Sequence, residues 1–475
     1  MTIIACDLCV IGAGSGGLSV AAAAAAFGVN VVLIERGKMG GDCLNTGCVP
    51  SKALIAAAHQ VHAARHAKVF GIDADQITVD YARVHDHIHD VIATIAPVDS
   101  QERFESLGVT VLRGEGRFVS PSTVQVGDST VRARRFVIAT GSHAAVPPIP
   151  GLKDVPYLTN ESVFDLKALP ARLLVLGGGP IGCELAQSFQ RLGSAVTVIE
   201  MARPLAKDDP EAAAIVIEAM RRDGVEFMLG RKAGAVTRDG DMITLSLEGE
   251  DGSVSQVSGT HLLVATGRRP ILHGLNLEAG NIASTPRGIT VDSGLRSVTN
   301  RRVYAVGDVA GGAQFTHAAN YHAGLVIRNA LFRLPVKVEA TAIPWATYTE
   351  PELAQAGLTE DAARRMHGDI RVMNAPFHHN DRAIAERDTD GFIKAITTKT
   401  GRVLGATIVG RGAGDIAGQW QMAVNQKMNI RAFAGTVYPY PTRAEISRRA
   451  AIAYFAPSLA SPWLRRLIAL LRHLG

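Results

Sequence analysis

Two cysteines with four residues between them lie in the run Gly40-Gly41-Asp42-Cys43-Leu44-Asn45-Thr46-Gly47-Cys48-Val49-Pro50-Ser51-Lys52, flanked by a glycine pair and a Pro-Ser-Lys. That spacing lets one helical turn bring the sulfurs together. A loop so short removes little entropy from the unfolded chain, so a disulfide here is badly placed as a staple and well placed to be opened. The chemistry expected is thiol-disulfide redox chemistry. The chain has five cysteines in 475 residues, an odd and low number that argues against a secreted disulfide framework. Cys6 and Cys9 fall in a run expected to be a strand, where residues three apart point to opposite faces. They are expected to stay unpaired as small buried side chains, and Cys183 likewise in a helix.

Two stretches have the pattern needed to hold an electron carrier beside such a pair. Residues 8–11 are apolar and lead into Gly12-Ala13-Gly14-Ser15-Gly16-Gly17, an alanine-rich helix through Ala26, and a second apolar run, 29–34, that ends in Glu35. Gly12, Gly14 and Gly17 would let backbone approach a pyrophosphate at a helix N-terminus, and Glu35 would accept from a ribose hydroxyl. The unit is repeated. Residues 173–176 lead into Gly177-Gly178-Gly179-Pro180-Ile181-Gly182, a helix through Leu192, and residues 196–199, closing on Glu200. Gly177, Gly179, Gly182 and Glu200 take the same places, so the repeat implies two bound dinucleotides.

The cysteine segment resembles the signature Gly-Gly-x-Cys-x-Asn-x-Gly-Cys-x-Pro-Ser-Lys of the pyridine nucleotide-disulfide oxidoreductases and fills each fixed position. The runs ending in Ala139-Thr140-Gly141 and Ala265-Thr266-Gly267 resemble the family's crossings between nucleotide domains, and Tyr304-Ala305-Val306-Gly307-Asp308 resembles its second flavin motif. The resemblance spans residues 4–455. It implies an α/β fold with two Rossmann-like dinucleotide-binding domains and a C-terminal α+β dimerisation domain. The ranges expected are 1–147 for the first part of an FAD domain, 148–267 for an NAD(P) domain, 268–337 for the second FAD part, 338–455 for dimerisation and 456–475 for an amphipathic extension. FAD is assigned to Gly12, Gly14, Gly17, Glu35, Lys52, Thr140, Gly141 and Asp308, and NAD to Gly177, Gly179, Gly182, Glu200 and Gly267. Glu200 would bond a free 2′-hydroxyl and repel a 2′-phosphate, so NADH is expected over NADPH, with Arg203 nearby as the counterweight. Cys48 is carried over as the flavin-facing thiol and Cys43, expected to be the more exposed, as the thiol that meets the acceptor. Lys52 and Glu184 match the family's ion pair beside the flavin.

One position departs from the pattern. The family's disulfide reductases place a catalytic histidine, in His-Pro-Thr-x-x-Glu, across a homodimer interface; here the run is Tyr440-Pro441-Thr442-Arg443-Ala444-Glu445. A phenol near pKa ~10 can donate a proton but is a poor base at neutral pH. Mercuric reductases also present tyrosine here, but they carry a further C-terminal cysteine pair, whereas the last cysteine of this chain is Cys183. Three readings follow. The first is a reductase of small disulfides using Tyr440; the second is a thiol-mediated reductase of a metal ion such as Hg(II) or Cu(II); the third is a subunit anchored to a complex or membrane.

A net charge of +5 with only 5% aromatic residues does not suggest a nucleic-acid groove. No apolar run reaches a membrane span, and Asp7 interrupts the first one, so an unprocessed cytoplasmic protein is expected. His85 and His89 share a helical face, as do His59, His62 and His66, but solvated faces are expected and no metal site is assigned. Residues 462–474 form a basic amphipathic stretch, with Trp463, Leu464, Leu467, Ile468 and Leu471 on one face. It suits a membrane surface or a protein partner, although packing on its own dimer is the preferred expectation.

Overall fold

Apolar runs rich in valine, leucine and isoleucine, too short for helices, form buried parallel strands in this computed structural model. Residues 2–74, 76–459 and 461–473 are described. Met1, Asp75, Ala460, Leu474 and Gly475, which fall within the expected domain ranges and the C-terminal stretch, lie outside the described residues.

The strands Thr110–Arg113, Val31–Glu35, Thr2–Ile11, Ser129–Ile138 and Val303–Ala305 lie side by side in that order, all parallel. A second sheet repeats the plan with Glu226–Leu229, Ala195–Glu200, Arg172–Leu176 and His261–Val264, again parallel. In both, the fingerprint's first strand sits between its second strand and one that arrives from far along the chain. That juxtaposition is the switch point beside which dinucleotides bind. Helix Ser15–Ala26 buries Gly16, Gly17, Leu18, Val20, Ala21 and Ala24, its small residues allowing close approach to the first sheet and to helix Thr316–Ala330.

One expectation about the first strand is corrected. Cys6 and Cys9 belong to the same core layer, with Val32, Phe118 and Phe136, and not to opposite faces. The alternation is interrupted between them, where the Asp7 and Leu8 amides both donate to the Asn30 carbonyl at 3.0 and 3.1 Å. Both side chains are buried and in no disulfide, Cys183 is buried in its helix, and burial pushes Cys6 up to about 11.

By internal contacts the chain divides into two units: residues up to Met201 with Val225–Glu339, and Ala202–Gly224 with residues from Ala340 onward. The second unit carries an antiparallel sheet in the order Trp345–Thr347, Glu352–Gly357, Val403–Gly410, Phe392–Thr398, Ile370–Pro376. Helix Ala413–Asn425 packs on it through Trp420, which is fully buried, stacks on Phe433 at 4.0 Å and donates to Ser447 Oγ at 3.0 Å. Helix Pro210–Arg222 joins this unit through charge. Lys394, only 7% exposed, bonds Asp209 at 2.8 Å and Glu211 at 2.7 Å, while Trp345 Nε1 donates to Asp208 at 2.7 Å. A buried ammonium needs such partners, so the start of this helix is fixed by the sheet that carries Lys394. Among the described residues no helix is long and apolar enough to cross a membrane.

Candidate active site

The glycine pair ahead of Cys43 has a geometric cause. Gly40 and Gly41 have φ of +84° and +61°, and a Cβ on Gly41 would lie 2.7 Å from Gly14 Cα. The cysteine loop is thus laid directly on the first fingerprint loop, and the Gly40 amide donates to the Ala13 carbonyl at 3.0 Å. Cys43 sits in the one-turn helix Gly41–Asn45, and Cys48 opens the helix Cys48–Arg65. Asn45 closes the loop by donating to the Met39 and Gly41 carbonyls at 3.0 and 2.8 Å.

Both thiols are free, and a hydrogen bond joins their sulfurs. That bond is the largest influence on each: Cys48 is lowered to about 6, and Cys43 is driven far up, with burial adding to its rise. The bond thus favours Cys43 as the protonated donor and Cys48 as the more readily ionised sulfur. Thr316 Oγ1, 3.4 Å from Cys48 Sγ, and the Lys52 ammonium also favour the Cys48 thiolate, while loss of some hydration among the surrounding groups and the Asp42 carboxylate oppose it. Its place at a helix N-terminus acts in the same favourable direction. Exposure departs from expectation. Cys48 is the exposed residue and Cys43 the half-buried one, because Cys43 is tucked beside Ser15 and Thr316, to which it hydrogen-bonds. Lys52 Nζ meets Glu184 Oε2 at 2.8 Å, across the packed helices Cys48–Arg65 and Pro180–Leu192, which brings that expected pair together.

The two fingerprints have closely matching geometry. A Cβ on Gly12 would lie 2.5 Å from the Ala139 carbonyl oxygen, and one on Gly17 would lie 1.8 Å from that of Gly12. In the second copy the corresponding distances are 2.5 Å from Gly177 to Ala265 and 2.0 Å from Gly182 to Gly177. Gly14 and Gly179 occupy the N-cap positions, and no side chain caps either helix. Glu35 accepts from the Ala13 amide at 2.6 Å, and Glu200 from the Gly178 amide at 2.7 Å. Each cradle is bare backbone at a helix N-terminus with a carboxylate at its rim, and these residues fit FAD and a nicotinamide dinucleotide.

Strands Ser142–Ala144 and Arg268–Pro270 pair antiparallel just after the two Ala-Thr-Gly runs. Thr140 donates to the Ile271 carbonyl at 2.8 Å, and Gly141 and Gly267 adopt φ of +67° and +124°. Asp308 accepts from Ser142 Oγ, and its burial pushes the carboxyl up. Sequence reasoning missed a network here. Arg268, 12% exposed, bonds Asp42 at 3.0 Å, lies 3.9 Å from Asp308 and donates to Ser142 Oγ at 2.8 Å. Asn160 and Thr46 donate to the other Asp42 oxygen at 3.1 and 2.7 Å. Asp42 occupies a variable position of the cysteine signature and Arg268 directly follows Thr266-Gly267, so adjacency to a motif was the available signal; Thr316 had none.

In the second unit, Tyr440 is exposed and donates to Asp381 Oδ2 at 2.8 Å. That carboxylate holds the phenol proton and raises its pKa. Glu445 makes no such bond. Its Oε1 lies 3.8 Å from Arg449, which also lies 3.9 Å from Asp381, and its buried Oε2 has no hydrogen-bond partner among the described residues. Asp381 was therefore the partner to look for, but it is far from residue 440 in sequence. Val437, Tyr438, Tyr440, Glu445 and Arg448 line a shallow cavity of about 180 Å³. Among the described residues no cluster suited to a metal ion is present, and the His85 and His89 rings pack on each other at 4.2 Å.

Residues 6–323 match the model of the pyridine nucleotide-disulphide oxidoreductases, and residues 343–451 match that family's dimerisation domain. The chain belongs to this family. As a family member it transfers electrons from NAD(P)H through FAD to a redox disulfide, and on to a disulfide or thiol-reactive acceptor. Its dimerisation-domain match indicates a homodimer. A mercuric reductase of Streptomyces lividans is 37% identical, covering 94% of this chain and 95% of that one. A dihydrolipoyl dehydrogenase of Geobacillus stearothermophilus is 35% identical over 93% and 94%. Among solved structures, the Cu(II) complex of the HOCl-induced flavoprotein disulfide reductase RclA from Escherichia coli aligns with a TM-score of 0.82 at 27% identity, covering 93% and 99%.

Proposed function

We propose that this oxidoreductase is an NADH-preferring reductase of small-molecule disulfides, and that the proton acceptor its chemistry needs lies within the cysteine pair. The observation carrying this is the sulfur–sulfur hydrogen bond of the pair, which lowers Cys48 toward its thiolate form and raises Cys43. Transfer of the Cys43 proton to Cys48, uphill because their hydrogen bond favours the opposite arrangement, frees Cys43 to attack one sulfur of a disulfide RSSR, forming a mixed disulfide and releasing RS⁻. The Cys48 thiol protonates that leaving group and then attacks Cys43, closing the Cys43–Cys48 disulfide and releasing the second RS⁻. Tyr440, its proton held toward Asp381, acts as a donor to that second thiolate across the homodimer interface. The pair is re-reduced at the expense of NADH, so the sum is NADH + H⁺ + RSSR giving NAD⁺ and two RSH. Lys52 with Glu184, the two glycine cradles, Glu35, Thr140, Gly141, Gly267 and Asp308 hold the cofactors. Glu200 favours NADH, and the low cysteine count supports a cytoplasmic setting.

A specific observation favours a second reading, reduction of a soft or redox-active metal ion. The relatives include a mercuric reductase, and one of the solved structures of the RclA reductase is a Cu(II) complex. A low-pKa thiolate beside a second sulfur is also a suitable ligand set for such an ion. One experiment separates the two: NADH oxidation by the purified holoenzyme across lipoamide, glutathione disulfide, Hg(II), Cu(II) and quinones. Turnover with disulfides supports the first reading. Turnover confined to metal ions replaces it with the second.

A further inference from the structure

Within a single protomer, helix Pro462–Leu471 leaves large apolar side chains uncovered: Trp463 is 69% exposed, Leu470 64%, Ile468 51% and Leu471 50%. At 100° per residue, Trp463, Leu464, Leu467, Ile468, Leu470 and Leu471 fall within an arc of roughly 160°, and Arg465, Arg466 and Arg472 fall on the opposite side. We propose that this helix lies in the plane of an anionic bilayer surface, with its apolar face in the acyl boundary and its arginines among the lipid phosphates.

Charge selects this occupant. Every charged side chain from residue 450 to 473 is an arginine, with His473 beside the last of them and no aspartate or glutamate in the stretch. Such a segment repels another copy of itself and is attracted to a negative surface. Its geometry suits lying on a membrane and excludes crossing one, since ten helical residues span only about 15 Å. A tryptophan at the start of the apolar arc, with an indole N–H to place among headgroups, is a side chain suited to that boundary. The arginine stems can lie along the same interface while their guanidinium groups reach phosphate.

The test is flotation of the full-length holoenzyme with vesicles of phosphatidylcholine alone or with about one third phosphatidylglycerol, backed by Trp463 emission with Trp463→Phe as control. Binding only to the anionic vesicles, with a blue shift absent in the control, is expected. The double variant Arg466→Gln/Arg472→Gln should bind roughly 30-fold more weakly, from the usual contribution of each basic residue near such a surface. Its NADH oxidation with soluble acceptors should be unchanged. Equal binding by wild type and variant, or no binding to either vesicle, overturns the proposal. So does a fall in sedimenting mass in Trp463→Ser without vesicle binding by wild type, which would make the helix a contact between copies.

Discussion

The thiolate assignment at Cys48 can be tested by removing one of the groups that stabilises it. With its thiol lowered from 9.0 to about 6, Cys48 should be mostly ionised at pH 7, where an unperturbed cysteine is mostly protonated. The thiolate is the species above the lowered pKa and is lost as pH falls through it. The long-wavelength absorbance that a thiolate gives against an oxidised flavin should therefore persist at pH 7 in the two-electron-reduced enzyme and fade with a midpoint near 6. Thr316 Oγ1 stands 3.4 Å from Cys48 Sγ. A hydrogen bond to a charged group contributes about 1.5–3 kcal/mol, roughly one to two pKa units. Thr316→Val should accordingly move the midpoint to about 7–8 and leave between a half and a tenth of the band at pH 7. Thr316→Ser, which keeps the hydroxyl, should restore the wild-type profile. An anaerobic titration from pH 5 to 9 reads all three proteins. A Thr316→Val midpoint equal to wild type, or a wild-type midpoint near 9, would refute the account.

Cys48→Ser should abolish the long-wavelength band, and Cys43→Ser should show it without any reductant; a Cys43→Ser spectrum without the band would exchange the roles of the two sulfurs. NADH should be preferred over NADPH by at least about tenfold in kcat/KM, a difference of about 1.4 kcal/mol, because Glu200 closes the second fingerprint. Steady-state kinetics with equal efficiencies would transfer control of that pocket to another residue, Arg203 first. If the acceptor is a disulfide and proton delivery limits its reduction, Tyr440→His should raise its turnover, by up to the roughly 10²–10⁴-fold that a positioned acid-base group contributes. If it is a metal ion, Tyr440→His and Tyr440→Phe should both lower metal-dependent NADH oxidation and create no disulfide turnover.

Local pattern made much of this molecule legible. Both glycine loops, their acids, the cysteine loop and Lys52 are defined by residues within a few tens of positions, and the geometry that joins them is repeated by the two nucleotide folds. What escaped is what chain topology brings together. Arg268, Asp42, Asn160 and Asp308 come from four distant segments, and no periodicity in any of them announces the network. A regular strand puts Cys6 and Cys9 on opposite faces, and the irregularity at Asp7 and Leu8 cancels that parity. The attachment of helix Pro210–Arg222 to the second unit depends on Lys394, nearly two hundred residues away.

Tyrosine at position 440 is explained more economically by the cysteine pair than by its own surroundings. An imidazole would take the Cys43 proton and return it; on the reading proposed above Cys48 takes that proton instead, against the direction in which the pair's hydrogen bond holds it. What remains is delivery of one proton to the second leaving thiolate, and a phenol raised by Asp381 can do that while serving poorly as a base. Asp381→Asn separates these roles. With the carboxylate gone the phenol loses the acceptor that raises its pKa, so the alkaline limb of kcat against pH should move to lower pH, while the pH midpoint of the Cys48 band stays fixed. A shift of both together would mean that the tyrosine and the thiolate titrate as one system and that the division of labour between them is wrong.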